Sequence, residues 1–428
     1  MSGALRIGIA GLGTVGAGVV KLLKTHGDLI AARAGRPIEI VAVSARDRKK
    51  DRGVDLSGLR WVDDPVALAK DPAVDVVVEL IGGSSGPALA LAGQTLAQGK
   101  AFVTANKAML AVHGAKLAIA ADASGAPFMF EASVAGGIPI VKALREGLAA
   151  NSLSRVFGIL NGTCNYILTK MEATGRDFAD VLGEAQKLGY AEADPAFDID
   201  GIDTAHKLAV LTSLAFAMPV AFDAIHIEGI RRVAAVDIAY AAELGHRIKL
   251  LAVARRTPHG IEQRVHPALV PLSHPIAHVD GVFNAVVAEG DFVGRTVFEG
   301  RGAGEGPTAS AVVADLIDVA AGRRVPAFCV DASNLSHQPL APMDRHVGPY
   351  YMRLTVYDRP GVIADIAAVL RDEAVSIESL LQRGRAETVP VVMLVHETEE
   401  ARMRRAVEKI GKLAAVTEAP CVIRRELL

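Results

Sequence analysis

The sequence feature that most constrains the fold is a glycine-rich segment near the N-terminus, Gly11-Leu12-Gly13-Thr14-Val15-Gly16. An apolar run at residues 5–10 precedes it and predicts a buried strand, and a helical pattern at 14–26 follows it. The first glycine allows a tight turn, the second lets the backbone approach a pyrophosphate, and the third lets the helix pack closely on the strand. The segment therefore predicts a dinucleotide-binding turn rather than a turn without a ligand, and its predicted cofactor contacts are Gly11, Gly13, Thr14, Val15 and Gly16.

Strands and helices continue to alternate in the N-terminal part of the chain. Apolar, β-branched strands are predicted at 38–44, 74–81 and 101–104, with a helix at 87–98. Such alternation is typical of βαβ units, so we predict an α/β fold whose N-terminal domain, residues 1–132, is an open parallel sheet of the Rossmann type. The apolar helix at 308–325 is predicted to complete this domain by packing back on it.

The remainder of the chain shows three different patterns. Residues 133–307 mix longer helices with strand-like pieces, which predicts an α+β domain. Residues 326–348 are rich in proline, serine and histidine, lack periodicity, and are predicted to be a linker. Residues 349–428 alternate as βαββαβ, which predicts a C-terminal ferredoxin-like domain.

Composition argues against several classes of partner. The 428 residues include 46 lysines and arginines against 48 aspartates and glutamates, so no positive field favours nucleic acid or a membrane surface. The longest apolar stretch, residues 208–222, is shorter than the ~20 residues of a membrane span and contains Pro219. The three cysteines lack disulfide or zinc spacing, and the strand at residue 5 leaves no room for a signal peptide. We therefore expect a cytoplasmic protein.

The end of the second predicted strand bears on the choice of cofactor. Enzymes that use NAD usually place an acidic residue there to hold the ribose 2′-hydroxyl. This chain instead reads Ser44-Ala-Arg-Asp-Arg-Lys-Lys50, with cations and no acid at the strand tip. Arg46 is therefore the predicted contact for a 2′-phosphate, which favours NADP over NAD. The alternatives are a solvated basic loop, or a ribose contact from Asp47.

Two lysines occupy positions where a charged side chain indicates a functional site. Lys107 follows the strand at 101–104, at the carboxyl edge where open parallel sheets bind ligands, although an exposed loop lysine fits the same pattern. Asp203 and Lys207 are four residues apart on one helix and share a face. That helix continues through residues 208–217 without another charge, so we predict that it is buried and that the pair lines a pocket instead of forming a surface ion pair.

Carboxylates and small residues provide further candidate ligands. Four carboxylates precede the Asp203 helix and are candidates for binding a cationic group or capping the helix, with Asp200 the expected cap: Glu192, Asp194, Asp198 and Asp200. Segment 131–139, Glu-Ala-Ser-Val-Ala-Gly-Gly-Ile-Pro, predicts a loop whose carbonyls face a cation or ligand. Segment 301–308, which contains Gly302, predicts a ligand-facing loop before a helix. Both segments also suit simple tight turns.

Two remaining candidates have a structural interpretation. Cys164 lacks a neighbouring base or cation in sequence, so it is predicted to be a small packed residue rather than a nucleophile. His274 and His278 have the spacing of metal ligands on a helix, but Pro275 between them disfavours a helix, so they are predicted to lie in a loop.

Taken in order, these motifs resemble those of homoserine dehydrogenases along nearly the whole chain. The matching segments are Gly11–Gly16, Thr104-Ala-Asn-Lys107, Glu131–Pro139, Gly158-Ile-Leu-Asn-Gly-Thr-Cys-Asn-Tyr-Ile167, Gly189-Tyr-Ala-Glu-Ala-Asp-Pro195, Asp200–Lys207 and Gly306-Pro-Thr-Ala-Ser310. In the C-terminal part, Asp358-Arg-Pro-Gly-Val362 resembles the first turn of an ACT domain, a small ligand-sensing unit.

The resemblance implies an enzyme that interconverts L-homoserine and L-aspartate 4-semialdehyde with NAD(P) in threonine and methionine biosynthesis. It implies that Lys207 is the proton donor or acceptor at the substrate oxygen. Lys107 would be a second cation of the active site, in contact with the substrate and the cofactor, and Asp203 would orient both the substrate and Lys207. Glu192 is implied to bind the substrate amino group, with Asp198 a further carboxylate there. A sodium ion is implied at Glu131 and the backbone of Val134, Gly136 and Ile138. A homodimer or homotetramer is expected, with residues 133–307 as the domain for substrate binding and dimerisation. Inhibition by threonine through the ACT domain is also expected, and truncation near Val347 should remove it.

Two other functions remain open at this point. An acylating dehydrogenase of the aspartate-semialdehyde type needs a thiolate nucleophile, for which Cys164 is the candidate, so Cys164→Ser would abolish its turnover. A non-catalytic sensor of NADP and an amino acid is distinguished by the absence of any substrate-dependent change in absorbance at 340 nm, where NADPH absorbs.

Overall fold

The structure is a computed structural model that describes residues 3–428. The chain forms two compact units that interleave in sequence. The first unit comprises Met1–Gly162, Asp203–Ile225 and Val282–Gln338, and the second comprises Thr163–Ile202, His226–Gly281 and Pro339–Leu428. These units cut across the predicted 133–307 domain, whose residues divide between them.

The secondary structure of the described residues is as follows. The strands are β1 (Leu5–Ala10), β2 (Ile38–Ser44), β3 (Arg60–Trp61), β4 (Val76–Glu79), β5 (Ala101–Thr104), β6 (Phe128–Met129), β7 (Leu153–Ile159), β8 (His226–Ile227), β9 (His246–Thr257), β10 (Gly260–Pro271), β11 (Phe283–Gly290), β12 (Gly294–Arg301), β13 (Val347–Tyr357), β14 (Ile377–Gln382), β15 (Thr388–Glu399) and β16 (Cys421–Arg425). The helices are α1 (Thr14–Thr25), α2 (Gly27–Ala34), α3 (Pro87–Ala97), α4 (Lys107–Ser124), α5 (Ile140–Lys142), α6 (Gly162–Thr174), α7 (Phe178–Lys187), α8 (Ala196–Ile199), α9 (Ile202–Phe216), α10 (Ala235–Glu243), α11 (Glu305–Ala320), α12 (Val362–Asp372) and α13 (Glu400–Ile410).

The first unit is built on a six-stranded parallel sheet in the order β3-β2-β1-β4-β5-β6. The apolar runs of β1 and β4 are buried because helices cover both faces of such a sheet. Helix α11 joins this core through Ala309, Val312 and Leu316, which pack with the residues of β1. The predicted α/β fold of the Rossmann type is therefore confirmed, and α11 packs back on the nucleotide-binding part as the sequence predicts.

A smaller antiparallel sheet in the same unit has the order β7-β11-β12. Strands β7 and β11 lie so close together that a β-carbon at Gly158 would overlap the carbonyl oxygen of Ala285. Sequence patterns missed β7 and β12, and they also missed helix α4. Helix α4 buries residues such as Met109, Leu110 and Leu117 on more than one side, so its sequence shows no single apolar stripe.

The second unit contains a sheet that joins the C-terminal domain to the hairpin of β9 and β10. Strands β13–β16 and helices α12 and α13 form the predicted βαββαβ domain, with strand order β16-β13-β15-β14. Strand β16 also pairs in parallel with β10, through Ala268 opposite Arg424 and Leu269 opposite Arg425. The C-terminal domain therefore shares one hydrogen-bonded sheet with residues of the predicted central domain.

The predicted linker at 326–348 is anchored near both of its ends, although many residues between the anchors are exposed. In the first unit, Phe328 is fully buried, with its ring centroid 5.2 Å from that of Phe130. In the second unit, the Ile261 backbone N–H donates to the Pro339 carbonyl at 2.8 Å, and His346 is buried beside Glu262. This segment is not a free spacer, because apolar and polar anchors fix both of its ends. Among residues 3–428, no helix is long and apolar enough to cross a membrane.

Candidate active site

The carboxyl edge of the parallel sheet is organised by a buried acid that ends β4. The Glu79 carboxylate accepts hydrogen bonds from the backbone N–H groups of Ile81 and Gly82 at 2.7 and 2.9 Å, and from the Thr104 hydroxyl at 2.6 Å. Asn106 continues the network, because its side chain donates to the Gly83 carbonyl at 2.8 Å and caps α4 by accepting from the Met109 N–H. This network fixes the turn that begins α4 at Lys107.

Two lysines meet one carboxylate at this edge. The Lys107 ammonium lies 2.6 Å from Asp203 Oδ1, and the Lys207 ammonium donates to Asp203 Oδ2 at 2.8 Å. Lys207 also donates to the Leu160 carbonyl at 2.7 Å, and the Asn161 amide donates to Asp203 Oδ2 at 2.9 Å. The side chain of Lys207 is 9% exposed, whereas that of Lys107 is 33% exposed. The pair on α9 is thus buried, as its apolar sequence context predicts, and Lys107 is brought to it from a distant part of the chain.

The charges of this cluster favour an ionised Asp203. Burial by itself opposes ionisation, but the positive charges of Lys207 and Lys107 outweigh it and hold the pKa of Asp203 well below its usual range. Burial lowers the pKa of the neighbouring His206, whose ring packs on that of Phe222 at 4.6 Å. The site therefore carries two cations on one permanent anion, a net positive charge that suits an oxygen atom gaining negative charge.

The glycine-rich turn between β1 and α1 has the backbone that its sequence predicts. Gly11 has a φ of +105°, and a β-carbon there would overlap the Leu80 carbonyl oxygen. A β-carbon at Gly16 would likewise overlap the Gly11 carbonyl oxygen. Gly13 and Thr14 are exposed at the start of α1, where free N–H groups and the helix dipole can receive a phosphate. Val15 is half-buried beside them.

The two loops rich in small residues lie against each other. The Gly136 N–H donates to the Gly302 carbonyl at 3.0 Å, and the Gly137 N–H donates to the Arg301 carbonyl at 2.9 Å. Side chains at these positions would collide, since a β-carbon at Gly302 would overlap the Asn284 amide. The Gly302 loop leads into α11, whose first turn lies against Gly18 of α1.

Glu131 is a buried carboxylate in the first of these loops. Its two oxygens accept the N–H groups of Val141 and Lys142 at 3.0 and 2.8 Å, and its own N–H donates to Asp315 at 2.8 Å. Burial, with the negative Asp315 nearby, raises the pKa of Glu131 to about 7. Val134 and Ile138 are buried in the same loop, and the Ile138 carbonyl accepts from Ile140 at 2.7 Å.

The other predicted site residues lie in the second unit or on the surface. Glu192 is exposed and Asp198 is half-buried, both in the second unit. Arg46 is exposed two residues beyond β2. The carboxylate of Asp200, the expected cap of the Asp203 helix, forms an ion pair with Arg231, and Asp200 itself is the C-cap residue of α8.

Cys164 and the segment of His274 and His278 have the structural roles expected from the sequence. Cys164 is fully buried, and its thiol donates to the Asp198 carbonyl at 3.3 Å. Residues 275–278 form one short 3₁₀ turn, and the His274 ring accepts from the Ile276 N–H. Within residues 3–428, no cluster of three or more histidine, cysteine or acidic side chains has the geometry of a metal site.

No role was predicted from the sequence for the residues that support the lysine cluster. Glu79, Thr104, Asn106 and Asn161 are all buried polar side chains with fixed partners. Thr104, Asn106 and Asn161 lie within the segments that resemble the family, whereas Glu79 has a physical signal of its own, because an acid inside an otherwise apolar strand needs buried partners.

Comparisons with known proteins bear on the function of this site. The homoserine dehydrogenase family model matches residues 139–317, the model of the homoserine dehydrogenase NAD-binding domain matches 11–131, and the ACT domain model matches 350–415. A homoserine dehydrogenase of Pseudomonas aeruginosa is 45% identical over 99% of both chains. The chain belongs to the homoserine dehydrogenase family. The resemblance seen in the sequence is thereby confirmed.

Solved structures agree with this membership. A homoserine dehydrogenase from Thiobacillus denitrificans is 46% identical, with a TM-score of 0.94 over 100% of this chain and 99% of that one. A hyperthermophilic archaeal homoserine dehydrogenase in complex with NADPH shares the fold at 24% identity, with a TM-score of 0.62 over 74% of this chain and 97% of that one. As a homoserine dehydrogenase, this chain is an NAD(P)-dependent oxidoreductase with a C-terminal ACT domain. The matches at 11–131 and 350–415 fall within the domains predicted at 1–132 and 349–428, whereas the match at 139–317 extends past the predicted end of the central domain at 307. The predicted boundaries stay a prediction.

Proposed function

We propose that Lys207 is the proton donor when L-aspartate 4-semialdehyde is reduced to L-homoserine, and the acceptor in the reverse direction. The observation that carries this proposal is the buried Lys207 ammonium, held by Asp203 at 2.8 Å and the Leu160 carbonyl at 2.7 Å. Reducing an aldehyde requires a proton at the oxygen as well as a hydride at the carbon. A fixed ammonium group, shielded from water, can provide that proton in the transition state.

Asp203 positions both lysines in this proposal. Its carboxylate stays ionised through the reaction, because the two ammonium groups keep its pKa low. Lys207 can therefore give up its proton to the substrate oxygen while Asp203 keeps the amine in place. Lys107, which is more exposed, is proposed to contact both the substrate oxygen and the cofactor, and to hold part of the developing negative charge.

NADPH is the proposed cofactor, with NAD as the weaker alternative; when bound, it supplies the hydride. The exposed backbone of Gly13 and Thr14 at the start of α1 suits the pyrophosphate, together with Gly11, Val15 and Gly16 around the turn. Gly302 is proposed to border the same site. Arg46, exposed beyond the acid-free tip of β2, is proposed to bind the 2′-phosphate. The archaeal homoserine dehydrogenase of the same fold was solved in complex with NADPH, which supports a nicotinamide cofactor at this kind of domain.

The substrate amino group is proposed to bind Glu192, with Asp198 as a second carboxylate. Both residues follow α7 in the segment that leads to α9, and Glu192 is exposed, so its carboxylate is accessible to a cation. A charge-assisted hydrogen bond from an ammonium group is the strongest contact that this end of the substrate can make.

A sodium ion is proposed at Glu131 and the backbone carbonyls of Val134, Gly136 and Ile138. These are hard oxygen donors, and Glu131 is a buried carboxylate whose pKa is raised by burial and by Asp315. A monovalent cation would relieve this unfavourable negative charge. The proposed ion holds the loop that lies on Gly302 and takes no part in proton transfer.

Threonine is the proposed effector, and a homodimer or homotetramer the proposed assembly. The turn before α12 has Gly361 at a φ of +97° at the helix N-terminus, which leaves the backbone accessible to a small ligand. ACT domains commonly bind amino acids where two such units pair, and β14 is a strand at the edge of its sheet.

One experiment tests the enzyme and the cofactor together. Homoserine-dependent reduction of NADP and NAD, measured side by side at 340 nm, should give a higher kcat/KM with NADP. Equal values, or a preference for NAD, would refute the proposed role of Arg46. The rival acylating chemistry needs an accessible thiolate, whereas Cys164 is fully buried and bound to a carbonyl, so Cys164→Ser should retain turnover.

A further inference from the structure

The cationic loop after β2, residues 45–52, is held by one arginine that has no role in the site described above. Arg52 Nε donates to the Leu12 carbonyl of the glycine-rich turn at 2.9 Å. Its Nη1 donates to the Lys50 carbonyl at 2.7 Å, and its Nη2 donates to the Asp47 carbonyl. A single guanidinium therefore joins two carbonyls of this loop to the turn that faces the pyrophosphate.

A tryptophan ring lies against the Arg52 guanidinium. Trp61 of β3 is the only tryptophan of the chain and is half-buried. The guanidinium carbon of Arg52 lies 5.7 Å from the ring centroid of Trp61, and that of Arg48 lies 5.8 Å from it. Arg48 is also paired with Asp63 at 2.6 Å. Both guanidinium groups are thus fixed by partners within the protein.

Other cations of the loop are not held in this way. Arg46, Lys49 and Lys50 are exposed, and in the part of the chain that the structure describes none of their side chains forms a salt bridge. Exposed cations on a short loop bind a phosphate well only if the loop is already ordered, because ordering it during binding costs conformational entropy. Arg52 provides this order.

We propose that Arg52 is a positioning residue for cofactor selection, which fixes the Arg46-bearing loop against the glycine-rich turn so that both face one dinucleotide. Three nitrogens of Arg52 are already occupied by backbone carbonyls, so it acts through the loop rather than by binding the phosphate. Because NAD lacks the 2′-phosphate, it gains nothing from the ordered loop. This inference rests on the proposed preference for NADP.

The test uses binding, not turnover. NADP and NAD are titrated separately into the full-length protein, with Trp61 fluorescence as the signal, for the wild type, Arg46→Ala, Arg52→Ala, Arg52→Lys and the Arg46→Ala/Arg52→Ala double variant. We expect Arg52→Ala to weaken NADP binding about tenfold, the penalty for ordering about one more residue, and NAD binding by less than about twofold. Arg52→Lys should resemble Arg52→Ala, because an ammonium cannot bridge three carbonyls in one plane.

Two further measurements isolate the positioning role. In the double variant, the loss for NADP should be less than the product of the two single losses, because a free loop without Arg46 has little left to position. Without cofactor, trypsin should cleave the 46–50 segment of Arg52→Ala faster than that of the wild type.

The outcomes separate the two proposals. If Arg46→Ala leaves the ratio of NADP to NAD affinity unchanged, the proposed NADP preference fails, and the Arg52 role fails with it. If Arg46→Ala lowers that ratio but Arg52→Ala does not, only the role of Arg52 is refuted. Equal losses for both cofactors in Arg52→Ala, wild-type NADP affinity in Arg52→Lys, or unchanged cleavage by trypsin would also refute it.

Discussion

Replacing Lys207 by methionine tests the proposed proton donor most directly. Methionine keeps most of the buried volume and removes the ammonium that donates to Asp203 and Leu160. Proton-transfer groups contribute about 10²–10⁴-fold to rate, so kcat should fall by that factor, which equals about 3–5 kcal/mol of activation free energy. The fold should lose less, about 1–3 kcal/mol for hydrogen bonds to one charged group, because Asp203 keeps Lys107 and Asn161 as partners.

The assay is the homoserine-dependent reduction of NADP at 340 nm, with cofactor affinity measured separately by Trp61 fluorescence. Affinity for NADP should stay within about threefold, since Lys207 contacts the substrate oxygen in this scheme. Lys249→Met is the matched control, because Lys249 is also a buried lysine and its ammonium donates to the Val279 carbonyl at 2.7 Å and to Asp280 at 3.1 Å. The control should lose stability but keep its kcat within about threefold. A Lys207→Met enzyme with kcat within tenfold of the wild type would refute the assigned role.

Three further predictions address the substrate, the pH dependence and the C-terminal strand. Glu192→Gln should raise KM for homoserine about tenfold or more with kcat nearly kept, since it loses a charge-assisted contact; an unchanged KM with a depressed kcat would make Glu192 catalytic instead. Burial, with the positive Arg264 nearby, lowers the pKa of His346 to about 2. Below about pH 6.5 the histidine is therefore protonated in the unfolded chain but not in the folded protein, so the free energy of unfolding decreases as the pH is lowered. Between pH 6.5 and 4.5 the decrease caused by His346 should be about 2–3 kcal/mol, measured by urea unfolding at each pH. This decrease should be absent in His346→Gln and present in a variant of the exposed His259. Glu426→Gln should lower the free energy of unfolding by about 3–5 kcal/mol, because it removes the charge of one of the two carboxylates that pair with the buried Arg264. Glu378→Gln, at a more exposed ion pair with Arg425, should cost less than about 1 kcal/mol.

The buried contacts of the C-terminal strands affect how threonine inhibition is best tested. The sequence predicts a separable tail, and truncation near Val347 is then the obvious experiment. However, β16 pairs with β10, and Tyr351 and Arg353 of β13 bind the buried Asp237 of α10. Truncation would leave these buried charges unpaired and would confound loss of regulation with loss of stability. Substitutions at Asp358 or Gly361, on the exposed turn before α12, test the effector site without this effect.

Local rules determined much of this protein from its sequence. The turn at Gly11–Gly16 needs a positive φ and close backbone approach, which only glycine allows, so its position and shape follow from the residues themselves. The buried helix α9 is equally readable, because its charges are confined to its first turns. Homology then supplied the reaction and the candidate roles of Glu131 and Glu192, which spacing alone left open.

Tertiary structure decided which distant charges meet. No local pattern links Lys107 to Asp203, yet they form one ion pair because β5 and α9 deliver them to the same place. Strand β10 contains Glu262, Arg264 and His266, and its sequence resembles a polar loop. All three are buried because Arg264 is paired with Glu262 and with Glu426, a residue near the end of the chain. A buried charge is tolerated only beside its partner, and the partner is chosen by the fold and not by neighbours in sequence.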